Sequence, residues 1–258
     1  MRKEEEAFGR LLKIMDELRE KCPWDKKQTL QSLRNLTIEE TYELADALFD
    51  EDMEGIKEEL GDLLLHLVFY AKIASEKNAF SIRDVIEQQC QKLINRHPHI
   101  YGDMKVNTEE EVKKNWEKIK LKEGKKSILA GVPSSLPALI KAYRIQDKAK
   151  QVGFQWEHSG QVWDKVKEEI NELEEEFQSH QTDADKLEDE FGDLLFALVN
   201  FARYVNVDPE RALEKANKKF VRRFQYIEHT VSQNNGDLKK MSLQEMDALW
   251  DKAKHSGL

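Results

Sequence analysis

The segment Glu59-Leu60-Gly61-Asp62-Leu63-Leu64-Leu65-His66-Leu67-Val68-Phe69-Tyr70-Ala71 decides the fold. Leu60, Leu63, Leu64, Leu67, Val68 and Ala71 recur at three- and four-residue spacing, the period of a helix that buries one face. The pattern returns later as Leu194, Leu195, Leu198, Val199 and Ala202. Strand-like alternation is hard to find, so the expected fold class is all-α.

Each apolar stripe is entered through acidic residues. Glu39-Glu40-Thr41-Tyr42-Glu43 precedes Glu59-Leu60-Gly61-Asp62, and Glu168-Glu169-Ile170-Asn171-Glu172 precedes Glu190-Phe191-Gly192-Asp193. Further on, Phe80-Ser81 aligns with Val207-Asp208, Lys92 with Lys219 and Arg96 with Arg223. Asn115-Trp116-Glu117-Lys118-Ile119-Lys120 resembles Leu249-Trp250-Asp251-Lys252-Ala253-Lys254. Such a divergent tandem repeat predicts two helical domains, each able to bury a modest core within the 258 residues. Their expected limits are 1–123 and 138–258. The linker 124–137 between them holds two of the five prolines, Pro133 and Pro137. Ala138 to Val152 reads as the first helix of the second half.

Composition agrees with this reading. With 35% charged residues, 11 Gly and 5 Pro, the chain suits long, surface-charged helices. A net charge of −9 argues against a protein that coats a nucleic-acid polymer. It is compatible with a small anionic ligand if local basic residues and metal ions do the attracting. Cys22 and Cys90 lack CxxC spacing and read as reduced thiols. The start, Met1-Arg2-Lys3-Glu4-Glu5-Glu6, does not read as a signal peptide, and no apolar run approaches the roughly 18 residues of a membrane span. A cytoplasmic protein without membrane association is expected.

Carboxylates pressed against a core segment are costly unless something positive neutralises them. Glu39, Glu40 and Glu43 share one helix face, and Glu59 and Asp62 sit together at the border of the apolar stripe. Two antiparallel helices could aim these groups at one point. They would supply the oxygen-only shell that Mg²⁺ or Mn²⁺ prefers, with positions open to water and phosphate. The bland alternative is a solvated acidic face, which the repetition of the compound pattern argues against. A di-iron bundle would need Glu-x-x-His on two helices, and Asp stands at that position in both copies. His66 has Ala197 as its counterpart and reads as a core or edge histidine. Lys215, Lys219 and Arg223 form a basic stripe beside Phe220 and Phe224, suited to outer phosphates. Trp250, with Lys254 one turn on, could stack on a base.

Taken together, the acidic pattern resembles the signature of the MazG family of nucleoside triphosphate pyrophosphohydrolases. The segments Cys22-Pro23-Trp24-Asp25, Arg96-His97-Pro98-His99, Ser135-Leu136-Pro137-Ala138-Leu139 and Lys218-Lys219-Phe220-Val221-Arg222-Arg223-Phe224 are similar to its two-domain bacterial members. The resemblance implies an all-α, Mg²⁺-dependent enzyme that cleaves nucleoside triphosphates to monophosphate and pyrophosphate. It implies a homodimer in which each subunit completes the other's site. By motif, Glu169, Glu172, Glu190 and Asp193 would be metal ligands, and Glu168 would orient or deprotonate the attacking water. Lys165, Lys186, Lys219, Arg223, Trp250 and Lys254 would contact the nucleotide. In the first copy Glu40, Glu43, Glu59 and Asp62 match the metal pattern, but Gly55 stands at the position of Lys186, and His97-Pro98 replace Phe224-Gln225. The second half is therefore the expected working site. The competing readings are a nucleotide-sensing protein with vestigial metal sites and a purely structural helical adaptor.

Overall fold

The leucine stripes lie on helices that pair with the acidic helices before them. The computed structural model describes all residues except 1, 105, 107, 109–110, 113–114, 116–118, 120–126, 180–182 and 235. It forms two units, Met1–Ile119 and Lys120–Leu258. Every regular element among the described residues is helical. The expected counterpart of 249–254, residues 115–120, falls mostly outside the described residues, as does the start of the expected linker, 124–126.

The first unit comprises α1 (Lys3–Lys21), a 3₁₀ turn (Asp25–Lys27), α2 (Leu30–Phe49), α3 (Met53–Glu76), α4 (Ile82–Arg96) and the short α5 (Pro98–Tyr101). Thr29 caps α2 by accepting from the Ser32 amide, and Asp52 caps α3 by accepting from Glu54. Only three residues separate α2 from α3, and Glu51 takes a left-handed φ of 56° to turn the chain back. The two helices therefore run antiparallel and pack along each other. Met15, Leu33, Val68, Phe69 and Ile73 form the core that joins them to α1.

The second unit repeats the plan with α6 (Ala138–Lys150), α7 (Ser159–Gln178), α8 (Ala184–Tyr204), α9 (Pro209–Gln233) and α10 (Leu243–His255). Its buried residues include Val162 and Val166 on α7, Ala197 and Val199 on α8, Ile227 and Val231 on α9, and Ala253 on α10. Helix α6 stops two residues short of the expected Val152. Gly153 adopts φ 87°, and the amides of Gly153 and Phe154 bond back to the carbonyls of Lys150 and Ala149, which closes the helix end.

The units diverge in their later helices. Helix α4 spans 15 residues and ends before Pro98, which has no amide to continue the ladder. Helix α9 runs through the corresponding Phe224-Gln225 and reaches 25 residues. Their Trp-bearing loops are also pinned differently. In the first unit Arg19 donates to the carbonyls of Asp25 and Gln28 and pairs with Glu76. In the second, the Tyr204 hydroxyl donates to the Trp156 carbonyl. No helix among the described residues is long and apolar enough to cross a membrane. Both cysteine thiols are free.

Candidate metal and phosphate site

Pairing of an acidic helix with a leucine-striped one brings carboxylates together in each unit. One carboxylate oxygen from each of Glu40, Glu43 and Glu59 lies within 4.8 Å of the other two, and the same holds for Glu169, Glu190 and Asp193. The remaining members of each expected set stand beside these triads. Asp62 raises the pKa of Glu40 and of Glu59 by its charge, and Glu172 hydrogen-bonds to Glu169. Glu39 and Glu168, first in each motif, are exposed.

The electrostatics show what the clusters lack. Burial, followed by the charges of Asp62 and Glu43, pushes the Glu40 carboxyl above the usual carboxylate range. Glu59 is raised in the same direction, first by burial and then by Glu43, Glu40 and Asp62. Its Oε2 is buried with no hydrogen-bond partner. In the second unit Glu172 is raised, chiefly by its hydrogen bond with Glu169. Like-charged oxygens at the edge of a core, one of them orphaned, are a donor set that a hard divalent cation satisfies. The residues present thus fit Mg²⁺ or Mn²⁺. On α3, one turn after Asp62, His66 is buried with Nδ1 unpartnered, and burial lowers its pKa.

Among the basic residues, Lys165 makes contacts that its expected role did not include. Its Nζ lies 2.6 Å from Glu168 Oε1 and 2.8 Å from Glu169 Oε1, and both carboxylates hold the ammonium above the usual lysine range. The signal was legible, since Lys165 precedes these acids by three and four positions on one helix. Lys186 is exposed on α8, one turn before Glu190.

Helices α9 and α10 pack together and assemble the remaining groups. The Arg223 guanidinium sits 5.4 Å over the Trp250 ring, and its Nε donates to the Leu258 carbonyl at 2.8 Å. Trp250 also meets Phe220 at 5.2 Å between ring centroids, and Phe220 stacks on Phe224 at 6.1 Å. Trp250 is thus half-buried with Arg223 over its ring, whereas Lys219 and Lys254 are exposed. In the first unit a Cβ added at Gly55 would come within 2.8 Å of the helix-capping Asp52 Oδ2. A lysine equivalent to Lys186 has no room there without a shift of that cap.

Comparison with known proteins agrees with this architecture. The family model of the MazG nucleotide pyrophosphohydrolase domain matches residues 28–101 and 160–227. These spans cover the acidic helix pair in each unit, all of α4 and most of α9. The nucleoside triphosphate pyrophosphohydrolase/pyrophosphatase MazG of Thermotoga maritima is 46% identical over 252 residues, covering 96% of this chain and 95% of its own. The nucleoside triphosphate pyrophosphohydrolase of Escherichia coli K12 is 43% identical over 254 residues, covering 96% and 97%. A crystal structure of a mazG-related protein from Thermotoga maritima matches with a TM-score of 0.40 and 28% identity, over 44% of this chain and 98% of its own. With two copies of the domain and relatives matched along nearly their whole length, the chain belongs to the MazG family of nucleotide pyrophosphohydrolase enzymes.

Proposed function

We propose that this enzyme hydrolyses nucleoside triphosphates to monophosphate and pyrophosphate in its second unit, with Mg²⁺, or Mn²⁺ in its place, as cofactor. The observation that carries this reading is the meeting of Glu169, Glu190 and Asp193 in the same unit as the cations of α9 and α10. The two relatives named as nucleoside triphosphate pyrophosphohydrolases support it.

Glu169, Glu172, Glu190 and Asp193 would hold the metal. When bound, Mg²⁺ supplies Lewis-acid polarisation of phosphate oxygens and a more acidic water. Glu168, exposed at the rim, orients the attacking water and takes its proton as oxygen approaches the α-phosphorus. Lys219 and Arg223 carry charge toward the departing pyrophosphate, where negative charge accumulates. Trp250 holds Arg223 in place and, with Lys254, borders the nucleoside. Lys186 adds positive charge one turn before Glu190. A role in clearing surplus or non-standard nucleotides is the family-level expectation that goes with this reading.

A homodimer accounts for the surface of the acidic hairpins. In the second unit Ile170, Leu173, Phe177, Leu187 and Phe191 line an open apolar groove of about 710 Å³, with Phe177 70% exposed. Leu48 and Leu60 of the first unit are exposed at the positions matching Phe177 and Phe191, and Leu64 and Leu67 are exposed further along α3. Gly61 and Gly192 have open space beside their Cα atoms in mid-helix, a cost of about 1 kcal/mol each that close approach of another helix would justify. A second copy of the chain would cover these faces.

The test is ³¹P NMR of products formed from a panel of nucleoside triphosphates with Mg²⁺. Monophosphate plus pyrophosphate is expected. Diphosphate plus orthophosphate would rule out attack at the α-phosphorus, and no turnover would favour a nucleotide sensor. Sedimentation of the wild type against Phe191→Asp tests the dimer, which the variant should weaken or dissociate.

A further inference from the structure

The two carboxylate clusters differ in the neighbour one helical turn before them on the acidic helix. In the second unit the Lys165 ammonium bridges Glu168 at 2.6 Å and Glu169 at 2.8 Å, and Glu169 is only 6% exposed. An ammonium placed there supplies the positive charge the cluster needs and engages lone pairs that a metal would use. In the first unit, the residue three before Glu39 and four before Glu40 is Leu36, which packs against the core. No lysine or arginine pairs with Glu40, Glu43 or Glu59 among the described residues. Instead, Glu59 Oε2 is left buried and unpartnered.

We propose that Lys165 is a resident counter-ion that keeps the second cluster closed to a divalent cation until a polyphosphate draws its ammonium away, whereas the first cluster takes the cation unaided. This rests on the metal reading above and deepens it. Lys165 is then a positioning residue that exchanges partners. Phosphate oxygens compete with Glu168 and Glu169 for its charge, and the freed carboxylates turn to the metal. The arrangement ties metal loading at the working site to the presence of substrate. Leu36 cannot perform that exchange, so the first cluster fills independently of nucleotide.

The test is Mn²⁺ binding to the full chain without nucleotide, followed by the electron paramagnetic resonance signal of the free ion. The wild type should show one tight site, lost in Glu59→Gln. Lys165→Met should tighten Mn²⁺ binding at the second cluster on the order of tenfold, and adding Asp193→Asn should abolish that gain. Lys165→Arg, which keeps the cation, should behave as the wild type. Circular dichroism of each variant verifies that the helices remain. If Lys165→Met leaves the second cluster unchanged while Glu59→Gln still removes the first site, the counter-ion role is overturned and the metal reading stands. Equal filling of both clusters in the wild type would also overturn it. If no variant binds Mn²⁺ at either cluster, the metal reading itself fails.

Discussion

The two units apply one plan to different ends. Both pack an acidic helix along a leucine-striped one, and both bring three carboxylates within 4.8 Å of one another. Around that shared centre their surroundings part. The second unit supplies Lys165 beside the carboxylates and a 25-residue α9 bearing Lys219 and Arg223. The first has Leu36, Gly55 and a helix cut short before Pro98 at the matching points. Metal-type ligands persist in both because the helix pair dictates where they meet. Among the basic residues, Lys219 and Arg223 keep counterparts in Lys92 and Arg96 on α4, whereas Lys165 and Lys186 are replaced by Leu36 and Gly55. A duplicated fold can thus retain its acidic centre while part of the basic set around it changes.

The largest effect that tests this contrast is on turnover. Asp193→Ala should lower the rate by about 10³-fold, while Asp62→Ala should lower it by less than about tenfold. Equal losses, measured by pyrophosphate release under saturating Mg²⁺, would break the assignment of catalysis to the second unit. Next comes the basic helix. Lys219→Met should cost about 10²-fold in kcat/KM, and Lys92→Met, at the matching point of α4, should leave the rate unchanged within about twofold. Similar effects for both lysines would mean that α4 also meets the substrate.

Stability offers a smaller contrast. Arg19 holds the first Trp loop through two carbonyls and pairs with Glu76, with its side chain 10% exposed. Arg19→Ala should cost about 2 kcal/mol in chemical denaturation, and Tyr204→Phe, which removes one hydroxyl contact, about 1 kcal/mol. The pair also carries a pH signature. Its hydrogen bond with Arg19 holds the Glu76 carboxyl below the usual range, so this stabilisation is present above the ordinary carboxylate pKa. It is lost as pH falls through the lowered value.

The smallest effect has the opposite sign. Glu40 and Glu59 are raised, so without metal their crowding is relieved at acid pH and returns as pH rises through the raised values. Added Mg²⁺ should therefore raise the melting temperature by a few degrees at about pH 7 and by less at about pH 5. Thermal melts with and without Mg²⁺ check this. A larger gain at the lower pH would contradict it.

Much of this molecule was legible along the chain. The three- and four-residue spacing of Leu60 to Ala71 marks α3 because a helix repeats its buried face at that interval. The Glu-Glu-x-x-Glu and Glu-x-Gly-Asp pairs flag carboxylates at a burial edge, and the repeat doubles them. Pro98 signals the stop of α4 through its missing amide. Less visible was which partners the basic groups share. Lys165 read as a nucleotide contact, although its helical spacing to Glu168 and Glu169 allowed an ion pair. Arg223 read as a phosphate contact, but Trp250 and Leu258, distant in sequence, also hold it.

The sequence by itself determined the all-α class, the duplication and the acidic motifs, because periodicity and local spacing are written within one or two helical turns. Only the tertiary structure decided which carboxylates converge, that Glu59 keeps an unpartnered buried oxygen, and that Glu169 is buried. Burial and charge depend on what neighbouring helices bring alongside, and no stretch of a single helix contains that.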